Sequence, residues 1–249
     1  MKPLRLVMWV LLALGSGAAL AAEIKVLSAG AVEPGLVRLA EQFQRDTGHK
    51  VKIQFGTAPE LARRLATGEA ADVLIAPPGV VNEQVRNGKV DADSRITVGR
   101  VGVGVTVRIG APDPDIATLE AFKRSLLSAD SVVYNQASTG LYLERLFELM
   151  GIAEQLKAKT TRYANGAQVL EHVIRGKGNE IGFGAITEIK LFEPKGLKLV
   201  GPLPAQVQNH TLYAAGVMTE ARSADEAKDF IRFLGTHAAK QTFAATGVD

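Results

Sequence analysis

The sequence predicts an α/β protein of two Rossmann-like halves joined by two crossing strands. Three observations predict it. Strand and helix patterns alternate between residues 24 and 88. A long, β-branched, glycine-punctuated run (ITVGRVGVGVTV, Ile96–Val107) then breaks the rhythm. A second alternation follows, ahead of an apolar stretch, Thr211–Val217, suited to a return to the first sheet. Successive βα units call for a parallel sheet covered by helices on both faces. A strand with no helix directly after it fits a crossing from one sheet into another.

Ile24–Leu27 is a short apolar strand, and Pro34–Arg45 sets Leu36, Leu39, Ala40 and Phe43 on one face of a helix. Val51–Phe55 is the second strand and Ala58–Ala66 the second helix. Asp72–Ala76 (DVLIA) is the third strand, followed by a helix over Val80–Asn87 that Gly88 closes. The G-R-V-G-V-G inside the long run imitates a dinucleotide loop but opens no helix, so the match is discounted. Past the turn residues Gly110–Pro114, a helix (Leu119–Ser128), a strand (Ser131–Tyr134), a helix (Gly140–Met150) and a strand (Ile181–Ala185) form the second half. Ala224–Leu234 is a final amphipathic helix. Crossings are expected near residues 103–108 and 211–216. They divide the chain into residues 22–105 with 213–249 and residues 106–212.

The N-terminus reads as a secretory signal peptide over residues 1–21. Lys2 and Arg5 precede the apolar run Leu6–Leu14, and Ala19-Leu20-Ala21 supplies the small-residue exit. A spanning helix needs about 20 apolar residues, more than this run offers. The mature protein is therefore expected in the periplasm. Losing Lys2 and Arg5 lowers the formal charge from +3 to +1. With no basic run and no interleaved aromatics, nucleic acid is excluded as a partner. The chain has no cysteine, and a mature length of about 228 residues buries enough core to do without disulfides.

Three strand-to-helix junctions stand out: Ser28–Pro34, Gly56–Pro59 and Asn135–Gly140. Each joins small or hydroxyl residues to a helix start, where unpaired N–H groups and a partial positive charge favour an anion. Pro34 and Pro59 suit the first helical turn, where a missing N–H costs nothing. Ser28, Gly30, Thr57, Ser138, Thr139 and Gly140 are candidate contacts: the glycines admit close backbone approach and the hydroxyls add donors. The same residue types are also ordinary caps. Glu33 and Glu60 fall in first turns beside the expected anion. There they either stabilise their helices and point outward, or face a ligand that carries a cationic group or metal. Asn135, Gln136, Asn165 and Gln168 offer a more varied hydrogen-bonding surface than a bare oxyanion needs, and Tyr142 is the best-placed of the nearby tyrosines.

These blocks resemble a known family. KVLSAGAVEPGLVRLAEQFQRDTGHKV, FGTAPELARRLATGEAADVLIA, STGLYLERLFELMGI, EIGFGAITEI and AATGV fall in the order seen in periplasmic substrate-binding proteins of ABC transporters, in the molybdate-binding-protein-like group. The resemblance implies a type II fold of two lobes that close on an oxyanion held by main-chain N–H groups and hydroxyls. It implies a small anionic ligand, an inner-membrane ABC permease as partner, a monomer, and no cofactor. It adds Ala31, Ala58 and Ala167 to the candidate contacts. The family's molybdate binders place serines where this chain has Ala31 and Ala58, and commonly a tyrosine where it has Ala185. The main-chain donors thus carry over and the side-chain hydroxyls do not, which favours an organic carboxylate or other oxyanion over molybdate.

An enzyme is not expected. No cysteine nucleophile and no G-x-S-x-G elbow is present, and His49, His172, His210 and His237 lack metal-ligand spacing, so no catalytic or metal-binding residue is assigned. The alternatives kept are a molybdate or tungstate binder and a ligand-sensing module for a membrane receptor.

Overall fold

A computed structural model describes residues 21–249, so the expected signal peptide lies outside the described residues apart from Ala21. The chain runs β1 (Glu23–Ala29), α1 (Glu33–Thr47), β2 (Lys50–Gly56), α2 (Ala58–Ala66), β3 (Val73–Ala76), α3 (Pro78–Arg86) and β4 (Ile96–Arg108). It continues with α4 (Leu119–Ser128), β5 (Ser131–Asn135), α5 (Ser138–Leu149), α6 (Ala153–Lys157), β6 (Thr160–Tyr163), α7 (Gly166–Arg175), β7 (Glu180–Ala185) and α8 (Ile186–Phe192). It ends with β8 (Leu197–Pro202), β9 (His210–Val217), α9 (Ala224–Leu234) and α10 (His237–Ala245).

The strand order is β2-β1-β3-β9-β4-β7-β5-β6, with β8 also on β4. β1 lies parallel to β2 and β3, in register at Val26↔Ile53 and Val26↔Val73. β5 lies parallel to β6 and β7. The strands that join the halves pair antiparallel with their neighbours. β9 inserts antiparallel between β3 and β4, and β4 changes partners along its length. Ile96–Gly102 pairs with β9, whereas Val103–Arg108 pairs with β7 and β8. At the changeover the Gln208 side chain clamps Val103: its Oε1 accepts from Val103 N at 3.1 Å and its Nε2 donates to Val103 O at 3.0 Å.

Each half has its own core. In the first, the apolar face of α1 (Leu36, Leu39, Ala40, Phe43) is buried against the sheet and α9, with Phe43 and Phe230 edge-to-face at 5.1 Å. Gly48 ends α1 with a left-handed φ of 77°, the C-terminal role glycine suits best. In the second, Phe122 and Phe147 flank Phe183 at 6.1 and 6.3 Å. Burying each such ring contributes roughly 1.5–3 kcal/mol. The halves also touch through α8, where the Thr187 hydroxyl donates to Ala31 O at 2.6 Å.

Candidate functional site

Four strand-to-helix junctions converge on one cavity of about 470 Å³. Each leaves at least one amide at its helix start without an intrahelical partner. After β1, a 3-10 turn over Gly30–Val32 leads into α1, with Pro34 in the first turn. After β2, Thr57 caps α2 in a reciprocal box. Its side chain accepts from Glu60 N, and Glu60 Oε2 accepts from Thr57 N at 2.7 Å. After β5, the Asn135 side chain does the capping: Oδ1 accepts from Ala137 N at 2.9 Å and Gly140 N at 3.2 Å. That leaves Ser138 and Thr139, the first two residues of α5, with the unbonded amides of a helix start. After β6, Asn165 Oδ1 accepts from Gln168 N at 3.1 Å, which leaves the amides of Gly166 and Ala167.

Of the residues expected at the site, Gly30, Ala31, Thr57, Ala58, Ser138, Thr139, Asn165 and Ala167 line this cavity. Three do not. Ser28 is fully buried in β1, and its hydroxyl donates to Ala29 O at 3.2 Å. Gly140 lies behind the helix start. A Cβ there would run into the Asn135 carbonyl, so the glycine serves the close packing of α5 on β5. Tyr142 turns away, its hydroxyl donating to Val207 O at 2.6 Å. Glu33 and Glu60 both face the cavity. Burial raises the Glu33 carboxyl above its ordinary value, against a smaller opposing pull from Lys195.

The structure adds residues that sequence reasoning passed over. Arg63 and Arg64 line the cavity from α2. Arg64 is held by Glu69 and Gln54, whereas Arg63 is exposed and has no ion-pair partner among the described residues. Tyr213 reaches the cavity from β9. Burial, and secondarily the charge of Glu188, push its phenol well above the ordinary range, so it stays a neutral donor. Glu188, in the first turn of α8, sits between the two halves. A Cβ on Gly30 would lie 2.8 Å from its Oε1, and one on Gly166 would overlap its Oε2. Its carboxyl occupies the room that these two glycines leave. Burial, with the nearby charge of Glu33, raises it from the ordinary 4.5 to about 7. No hydrogen bond or ion pair holds it among the described residues. The cleft thus offers amides from four helix starts, a free guanidinium, and two carboxyls whose proton affinity burial raises. Among the described residues no His/Asp/Glu group is arranged to hold a metal ion.

Residues 24–249 match the family model of bacterial extracellular solute-binding proteins. The chain is 32% identical over 231 residues to an aconitate isomerase of a Pseudomonas species, covering 90% of this chain and 87% of that protein. It is 27% identical over 249 residues to the molybdate-binding protein ModA of Azotobacter vinelandii, covering 94% of each. Among solved structures, the periplasmic molybdate-binding protein of Azotobacter vinelandii superposes with a TM-score of 0.75 at 19% identity, covering 91% of this chain and 98% of that one.

Proposed function

Because the chain belongs to the bacterial extracellular solute-binding proteins and is of the molybdate-binding-protein-like kind, we propose that it captures a small organic anion with more than one carboxylate. It does so in the periplasm as a monomer, closing residues 22–105 with 213–249 on residues 106–212, and delivers the anion to an ABC permease. The observation that carries the choice of ligand is Arg63. A guanidinium on the wall of an anion cleft, with no carboxylate of its own, suits a second acidic group that a compact oxyanion cannot extend. Two further features support the reading. Ala31, Ala58 and Ala185 line the cavity without hydroxyls to give. Each missing hydrogen bond to a charged oxygen weakens binding by roughly 1.5–3 kcal/mol. A volume of about 470 Å³ is also within the ~300–1,000 Å³ usual for organic ligands. The relative named for aconitate, a propene tricarboxylate, points to the same class.

Calorimetry with cis-aconitate, trans-aconitate, citrate, molybdate, tungstate and sulfate tests this. A tricarboxylate should bind at least a hundredfold more tightly than molybdate. Arg63→Ala should weaken it about tenfold, equivalent to ~1.4 kcal/mol, and leave molybdate unaffected. Nanomolar molybdate affinity would overturn the reading by showing that main-chain donors suffice.

A further inference from the structure

Glu188 is out of place in a cleft that only binds anions. Four helix starts and Arg63 favour negative charge there, yet a carboxyl is aimed into the middle of them. Gly30 and Gly166 lack the side chains that would displace it. Against a bound oxyanion an ionised Glu188 would be repulsive, and no cation among the described residues is paired with it.

We propose that Glu188 is a catalytic proton-transfer residue and that the cleft isomerises an unsaturated polycarboxylate by moving its double bond. The inference rests on the proposed capture of a polycarboxylate. In such a guest a methylene lies between a carboxylate and a C=C. The Glu188 carboxylate removes one methylene proton: the C–H bond breaks, an O–H bond forms on Glu188, and the electron pair spreads over the allyl carbons into the carboxylates. Glu188 then returns the proton to the far allyl carbon. The double bond shifts by one position, and its new geometry is free to be cis or trans. Atoms and charge balance without any co-reactant. The developing negative charge falls on carboxylate oxygens, which the amides of Gly30, Ser138, Thr139 and Gly166 are placed to meet.

The environment of Glu188 suits a group that must both take and give a proton. Glu33 faces it from α1 and Tyr213 from β9, while Glu60, Arg63 and Arg64 lie across the cavity on α2. A carboxyl raised to about 7 is matched to acid–base work near neutral pH. The similarity to an isomerase over 90% of the chain agrees with this use of the site.

The test is proton NMR in D2O on the full chain with cis-aconitate and with trans-aconitate, alongside calorimetry with the same two compounds. The wild type should generate the other isomer, with deuterium entering its methylene to the extent that the Glu188 proton exchanges with solvent before it is returned. Glu188→Gln should bind within threefold of the wild type and isomerise at least a hundredfold more slowly, within the ~10²–10⁴ span of general acid–base catalysis. Glu188→Asp, a second variant that keeps the acid, should retain part of the rate. Tight binding without isomerisation in the wild type overturns this inference and leaves capture standing. Isomerisation that persists in Glu188→Gln removes the role of Glu188. Failure of both compounds to bind overturns the proposed function itself.

Discussion

Replacing Glu188 with glutamine should flatten the dependence of stability on pH. A carboxyl raised from 4.5 to about 7 in the folded state binds its proton more readily there than in the unfolded chain. Its favourable contribution is therefore complete below about pH 4.5 and is lost as pH rises through about 7. At about 1.4 kcal/mol per pH unit the full difference is roughly 3 kcal/mol. Solvent filling the open cleft screens part of the penalty, so we expect about 2 kcal/mol, or about 4–8 °C in Tm for a chain of this size. Glutamine keeps the shape and carries no charge. Thermal unfolding of the ligand-free protein at pH 5 and pH 8.5 should give similar Tm values for both proteins at the lower pH. At the higher pH the variant should be the more stable. Glu33, also raised by burial, leaves the variant a residual slope of the same sign. Parallel curves for the two proteins, or a variant less stable at pH 8.5, would refute the account of Glu188 as a carboxyl held near neutrality by its surroundings.

Asn135→Ala strips the acceptor from two buried amides, those of Ala137 and Gly140, and should lower stability by about 2–4 kcal/mol in urea titration. Ser138→Ala and Thr139→Val should weaken tricarboxylate binding about tenfold by calorimetry, with far-UV circular dichroism unchanged. Small-angle scattering should show a more compact particle with trans-aconitate than without, because a ligand touching both halves stabilises only their closed arrangement. An unchanged radius alongside tight binding would mean that the site is already closed.

The elements legible in the sequence have in common that burial is written into their period. Leu36, Leu39, Ala40 and Phe43 are all buried as their helical spacing requires, and Val73–Ala76 is buried throughout, as an apolar run inside a covered sheet should be. The glycine-rich β4 was readable as a crossing because it was too long for one sheet. Other elements lack such a signal. β6 is a four-residue edge strand of Thr, Thr, Arg and Tyr with no buried residue, and α6 spans five residues. α8 starts at Ile186, directly after the last residue of β7, with no loop to mark it. α7 is different: Asn165 caps it, and Val169, Leu170 and Val173 follow helical spacing, so the pattern was present and unread.

For the site, the helix starts were legible and the group between them was not. A glutamate in a first helical turn is what the helix dipole favours anywhere, so Glu188 looks ordinary until the fold sets it against Gly30 and Gly166, which no local pattern connects to it. Arg63 likewise reads as a solvated helix residue until α2 is placed on the cavity wall. Together these placements change what the alanines mean. Ala31, Ala58 and Ala185 withhold hydroxyls from the cleft while Glu188 adds an acid to it, and the two changes act in one direction. On the proposed reading an oxyanion of fixed charge loses donors and gains a repulsive neighbour, so it would be disfavoured twice. A carbon acid gains what it needs, namely a base beside the C–H bond and main-chain donors where its charge develops. On the proposed reading, Glu188, which would repel molybdate, is the residue that would move the proton.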